Sequence, residues 1–166
     1  MPVNEQSYPT LSSHLPARGP AYESNREGNL KLLEPVEAAL RKSLEGGGPR
    51  YTERHKARGK LLPRERVQLL LDRDSALLEL CPLAGHEVDG HATGASIIGG
   101  IGRVSGVECL ISANESTVKG GAWSELSAIK SRRLSEIALS NSLPSISLIE
   151  SAGADLQNQD KIFVPG

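Results

Sequence analysis

Polar residues and prolines fill the first part of the chain: between 1 and 28, Pro2, Pro9, Pro16 and Pro20 interrupt every candidate element and no apolar repeat develops. So little apolar surface does not offset the entropy of ordering, and an extended or disordered arm is predicted. At Asn29 the pattern changes. Leu32, Leu33, Val36, Ala39, Leu40 and Leu44 recur at helical spacing behind a candidate N-cap at Asn29, and Gly46–Gly48 end the repeat. Pro35 either kinks this helix or marks its first turn, because an interior proline removes a backbone N–H. Pro63 through Leu71 reads as a second, short helix with proline in its first turn. Residues 29–74 are thus predicted to be a helical segment.

Beyond Asp74 the periodicity shifts toward strands. "ALLEL" is compact and apolar, "TGASIIGGIGRVSG" is a glycine-punctuated pair, and "VECLISAN" and "SISLIES" read as buried strands. Between the last two, Leu126, Ile129, Leu134, Ile137 and Ala138 recur at helical spacing, and Pro144 forces an exit. Strand, helix, strand in that order is a βαβ crossover, so parallel pairing and an α/β class follow. Ser105-Gly106, just before "VECLIS", reads as a hairpin turn.

Composition narrows the function. A chain of 166 residues suits one domain. The net charge of -1 gives no molecule-wide field for nucleic acid, and 3% aromatic residues are too few for a base-stacking platform. Cys81 and Cys109 sit among apolar residues and read as buried free thiols. His14, His55, His86 and His91 make no ligand spacing with either cysteine, so no metal site is expected. No apolar run approaches the roughly 20 residues that span a bilayer, and the N-terminus lacks a signal-type core. The expectation is a soluble, cytoplasmic protein, with the mitochondrial matrix as the alternative. One local field stands out: Arg50, Arg54, His55, Lys56, Arg58, Lys60, Arg64 and Arg66 crowd the middle of the helical segment. They either bind phosphate or form a solvated face of a helical hairpin.

Three glycine-bearing stretches are candidates for chemistry. "GGIGRVSG" has G-x-G spacing, but Ser105 occupies the third glycine position and a strand follows, so it is turn chemistry and not a dinucleotide fingerprint. "ANESTVKGGAWSE" places Gly120-Gly121 between a strand end and a helix start, with Lys119 beside them. Unpaired amides there would face whatever sits above the sheet; the alternative is an ordinary strand-to-helix turn. "IESAGAD" repeats the arrangement at the next strand end, and two such loops define the crevice where α/β proteins place ligands. Ser151 is outside G-x-S-x-G and no histidine follows it in the usual order, so serine hydrolysis is poorly supported. Glu150 and Asp155 are expected to cap or pack the loop locally, the alternative for Glu150 being a pair with a buried group.

In order and spacing, "GGGPRYTERHKARGKLLPRERVQLLLDRDS", "GGIGRVSGVECLISANESTVKGG" and "NSLPSISLIESAGADLQNQDKIF" resemble the N-terminal part of the carboxyltransferase (β) subunit of biotin-dependent acyl-CoA carboxylases, with methylcrotonoyl-CoA carboxylase the nearest type. The resemblance runs from about Leu11 to Phe163. It implies a crotonase-like spiral of ββα units, here incomplete behind a helical N-terminal segment, with 75–166 a partial carboxyltransferase domain. It also implies carboxyl transfer from carboxybiotin, held on a partner carrier domain and not covalently on this chain, to an acyl-CoA such as 3-methylcrotonoyl-CoA.

Site residues follow from the same resemblance. The family's Ser-Gly-Gly-Ala loop falls on Ser151, Ala152, Gly153 and Ala154, making the amides of Ala152 and Gly153 the candidate oxyanion donors. Its Thr-Val-Lys-Gly-Gly falls on Thr117, Val118, Lys119, Gly120 and Gly121, which with Ala122 form the CoA side. Arg54, Arg58 and Lys60 match its basic motif. Ala152 departs from a family glycine, and Ala122-Trp123 stands where Thr-Tyr-Tyr is usual, bringing Trp123 near the acyl pocket. Because the sequence given stops at Gly166, a partial subunit inactive alone is expected, its site completed by a second carboxyltransferase domain or a full-length subunit. The alternative is a non-catalytic paralogue that regulates such an assembly, and a third possibility is a fragment.

Overall fold

A computed structural model describes Ser12 and residues 18–154, so most of the predicted arm, Asp155 and the tail after it lie outside the described residues. The chain divides into two compact units, 1–36 and 37–166. Helix α1, Pro20–Leu44, begins in the first unit. It starts nine residues earlier than the pattern predicts. Pro20 opens the helix instead of breaking it, because the first helical position needs no N–H and proline presets φ there. Asn29 is therefore no N-cap: its side-chain amide donates to Asn25 O, one turn back, at 2.8 Å. Pro35 lies inside the helix, and in this unit Lys31 pairs with Glu27 at 2.9 Å across one turn.

In the second unit the last turns of α1 bury Ala39 and Ser43. Helix α2, Pro49–Ala57, and helix α3, Pro63–Leu70, follow. The N-terminus of α3 is closed by Glu65, which accepts the Leu62 N–H at 2.7 Å and pairs with Lys56 at 3.0 Å. Four strands form one sheet in chain order: β1 Leu78–Glu79, β2 Ile97–Val104, β3 Val107–Asn114 and β4 Ser145–Leu148. β1 keeps only two residues of "ALLEL", with Leu80 N–H extending the ladder to Gly99 O at 2.7 Å. Cys81, expected to be buried, follows in a turn at φ 51° and is exposed; Cys109 is buried, and both are free thiols.

β2 and β3 are antiparallel, with Gly99 opposite Ser112 and Val104 opposite Val107. Ser105 and Gly106 make the predicted two-residue turn with φ 51° and 80°, the left-handed pair that matches strand twist. Helix α4, Glu125–Ser140, then crosses over to β4, which pairs with β3 in parallel, Ile111 opposite Ile146. On one sheet face, Ile98, Cys109, Ile111 and Ala113 pack with Val67 and Leu71. On the other, Ile97 and Leu110 pack with Leu134 and Ala138 of α4. The glycines of "GGIGR" serve this sandwich. A Cβ on Gly99 would stand 2.3 Å from Leu134 Cδ1, and one on Gly102 the same distance from Leu71 Cδ2. No helix among the described residues is long and apolar enough to cross a membrane.

Candidate functional site

The crossover brings the carboxyl ends of β3 and β4 side by side, and the loops that leave them are bonded to each other. Ala152 N–H donates to Gly120 O at 2.9 Å, and Trp123 N–H donates to Gly153 O at 2.8 Å. Asn114, buried at the end of β3, steadies the first loop by donating to Gly121 O at 3.2 Å. The small residues are needed for this closeness. A Cβ on Gly121, at φ 71°, would lie 2.3 Å from Glu150 O, a backbone atom that cannot swing aside. Gly153 adopts φ 104° with open space around its Cα, so it answers to backbone shape and not to crowding.

The loop after β3 forms one wall of a cleft of about 490 Å³, and α2 forms the other. Arg54 and Arg58 reach it from α2 and its C-cap, and Lys119 and Gly120 from the loop. Thr117 borders the cleft but is buried; its hydroxyl accepts the Gly47 N–H at 2.9 Å and donates to the Glu115 carboxylate. Its work is therefore to dock the connector that precedes α2. A Cβ on Gly47 would lie 2.1 Å from Thr117 O, so that connector must be glycine. Lys119 is exposed, with Nζ 3.3 Å from Gly90 O. Gly121 and Ala122 do not line the cleft, and Trp123 borders a separate cavity of about 180 Å³ with Asn114 and Ile149.

The two candidate oxyanion donors differ. The Ala152 amide is committed to Gly120 O, whereas among the described residues the Gly153 amide donates to the Ser151 hydroxyl alone, at 3.1 Å. That hydroxyl rotates, so a ligand oxygen can take its place.

Glu150 has a role that local sequence reasoning assigned to capping. Its carboxylate accepts from Lys60 Nζ at 2.6 Å, with Arg66 Nη1 at 3.6 Å and His55 Nε2 at 3.9 Å. The hydrogen bond from Lys60 holds its pKa below the ordinary carboxylate value against some desolvation. His55 is buried, and its Nε2 also lies 3.1 Å from Leu61 O. The available signal was the run of eight cations, which needs an acid brought from a distance.

Lys130 carried no sequence signal beyond its helix. It is 3% exposed, and Nζ donates to Gly94 O at 3.1 Å and Ile97 O at 2.6 Å, with no carboxylate in contact among the described residues. Burial pushes its pKa down to about 8, partly countered by the charges of Glu79 and Cys81. Beside it the fully buried Ser127 donates to Ala95 O at 2.9 Å. Together they hold a turn in which Gly94, Ala95 and Ser96 all have positive φ. Among the described residues no group of His, Cys, Asp and Glu is arranged to hold a metal ion.

An antiparallel pair followed by a helix that returns to a parallel strand, with strand-end loops at a cleft, is the ββα unit of the crotonase-like carboxyltransferase fold. The chain belongs to the carboxyl transferase domain family, whose match covers residues 54–165. It is 49% identical over 156 residues to the probable biotin-dependent acyl-coenzyme A carboxylase beta2 subunit of Mycobacterium tuberculosis, covering 94% of this chain and 29% of that protein. With the probable mitochondrial methylcrotonoyl-CoA carboxylase beta chain of Drosophila melanogaster it shares 43% over 155 residues, 92% of this chain and 27% of that one. The solved beta subunit of P. aeruginosa geranyl-CoA carboxylase matches with a TM-score of 0.83 at 39% identity, over 93% of this chain and 29% of that one. The chain thus spans less than a third of the length of these relatives.

Proposed function

We propose that the chain supplies the acyl-CoA side of a biotin-dependent carboxyltransferase. The cleft carries this reading. Arg54, Arg58 and Lys119 converge on it, and none of the three joins an ion pair among the described residues. Cations without carboxylate partners suit the phosphates of CoA, which arginine can grip with paired N–H groups. Gly120, on the cleft wall, is bonded to the loop that presents the Gly153 amide. A thioester oxygen within about 3 Å of that amide would be stabilised as it gains charge. Thr117 acts by docking the connector ahead of α2, and Gly121 and the Ala152 amide act by holding the two strand-end loops together.

The relatives' names add biotin dependence and, in the insect protein, a methylcrotonoyl-CoA substrate. On this reading 3-methylcrotonoyl-CoA is the favoured acyl-CoA, and carboxybiotin on a partner carrier domain supplies the carboxyl group. On the same reading biotin is bound by a second carboxyltransferase domain or a full-length subunit. Calorimetric titration of the chain with CoA and with 3-methylcrotonoyl-CoA tests the reading. Saturable binding that weakens at least about tenfold in the Arg54→Ala, Arg58→Ala double variant supports it, in line with loss of charge-assisted contacts. No binding, or binding indifferent to both arginines, overturns it.

The commitment of the Ala152 amide to Gly120 favours a second reading, a non-catalytic paralogue that binds a full-length carboxyltransferase assembly. It requires the chain to co-elute with a complete acyl-CoA carboxylase beta subunit and to change its turnover without contributing an active site.

A further inference from the structure

Helix α2 has nine residues, too few to be stable by its own hydrogen bonds. Its position is set from outside, at both ends, by groups that belong to the two strand-end loops. At the N-terminal end, the Gly47 amide two residues ahead of the helix is held by Thr117 Oγ1. At the C-terminal end, His55 and Lys60 turn toward the carboxylate of Glu150, joined by Arg66 from α3. Glu150 directly precedes Ser151-Ala152-Gly153, and the Ala152 amide closes back onto Gly120, three residues from Thr117. The contacts make a ring: Glu150 to Ala152, to Gly120, to Thr117, to Gly47, through α2, and back to Glu150. Arg54 and Arg58 project from this ring into the cleft.

We infer that Glu150 is a positioning residue, fixing where α2 presents Arg54 and Arg58 relative to the loop that presents the Gly153 amide. The inference rests on the acyl-CoA reading above. A ligand gripped at its phosphates and at its thioester needs those two grips at a set distance, and the ring sets it. Bulk stability is a poorer account of the same contacts. Lys60 and Glu150 are 52% and 27% exposed, and solvent-screened pairs of this kind add little to global folding free energy. Two cations, from the turn after α2 and from α3, and the His55 ring of α2, all drawn onto one carboxylate, instead restrain relative position.

The test uses the whole 166-residue chain. CoA affinity is measured by calorimetry for wild type, Arg58→Ala, Glu150→Gln and the double variant. Each single change is expected to weaken binding by about fivefold or more, and the double variant to be no weaker than the worse single one, because Glu150 acts through α2. Glu150→Asp, which keeps the negative charge, is expected to retain more of the affinity than Glu150→Gln, and the melting temperature of Glu150→Gln to stay close to wild type. Wild-type affinity in Glu150→Gln, or effects of the two residues that multiply independently, would overturn the inference. Should wild type not bind CoA at all, the acyl-CoA reading falls, and the ring is judged by hydrogen exchange on the free chain. Glu150→Gln must then speed exchange of the α2 amides together with those of 151–153 while β2 and β3 stay protected. Unchanged exchange in those two segments would sink it.

Discussion

The amide of Ala152 and the carbonyl of Gly120 meet at 2.9 Å, joining the loops at the ends of two parallel strands into a single unit. The glycines of the first loop exist for this closeness, so their replacement is expected to act on folding before it acts on any ligand. Gly121→Ala would set a Cβ 2.3 Å from Glu150 O at φ 71°, combining left-handed strain with a clash against backbone. We expect a loss of at least about 2 kcal/mol in urea unfolding. Gly120→Ala meets only the Ala152 methyl, at 3.2 Å, and should cost about 1 kcal/mol. Equal effects of the two variants would show that the loops are not packed as described.

The hairpin between β2 and β3 depends on a residue far from it in sequence. Both oxygens of Asp72 accept from the turn, Ser105 N–H and Gly106 N–H, each at 2.7 Å. Asp72→Ala should cost about 1–3 kcal/mol, since both amides lose a charged acceptor, although nearby water replaces part of it. Asp72→Asn keeps a single carbonyl oxygen and should fall between the two. Denaturant midpoints of the three proteins check the order.

The crossover, the two-residue turn and the α3 helix were legible in the sequence because each is a local matter of apolar period or turn chemistry. Pro20 was misread, since the same residue that breaks a helix interior begins one, and composition does not distinguish the positions. That the candidate site's two loops leave adjacent parallel strands was legible, but the hydrogen bonds that divide their amides were not. Whether the Ala152 amide faces a ligand or Gly120 O depends on how closely two segments thirty residues apart approach. The partner of Glu150 lies ninety residues away in sequence, so no local rule connects them.

Glu150 also makes a prediction about acid. Its folded pKa is depressed, chiefly by the Lys60 hydrogen bond, so its contribution to stability is present above the unfolded carboxylate pKa and is lost as pH falls through the lower folded value. Because the pair is solvent-screened, the resulting difference between wild type and Glu150→Gln on acidification should be small. An NMR titration of the Glu150 carboxyl reads the depression directly: a midpoint below that of an ordinary glutamate is expected, and an ordinary midpoint would mean that the Lys60 pair does not persist in solution.

Lys130 gives the opposite limb. Burial lowers its folded pKa from an ordinary 10.5 to about 8, so between these values the unfolded chain binds a proton that the folded chain has released. Stability rises with pH wherever the unfolded state binds more protons, so the sign is positive from about pH 8 to 10.5. Below that window the folded state carries a buried charge held by Gly94 O and Ile97 O, and above it the cost has been relieved. Methionine at this position keeps the length of the side chain without the titration. The stability difference between wild type and Lys130→Met should thus shift in favour of wild type across that window, by an amount up to about 3 kcal/mol. All other groups are common to both proteins, so the comparison isolates position 130. A difference that does not change with pH would show that Nζ reaches solvent and that the carbonyls of the Gly94–Ile97 turn are held by something else.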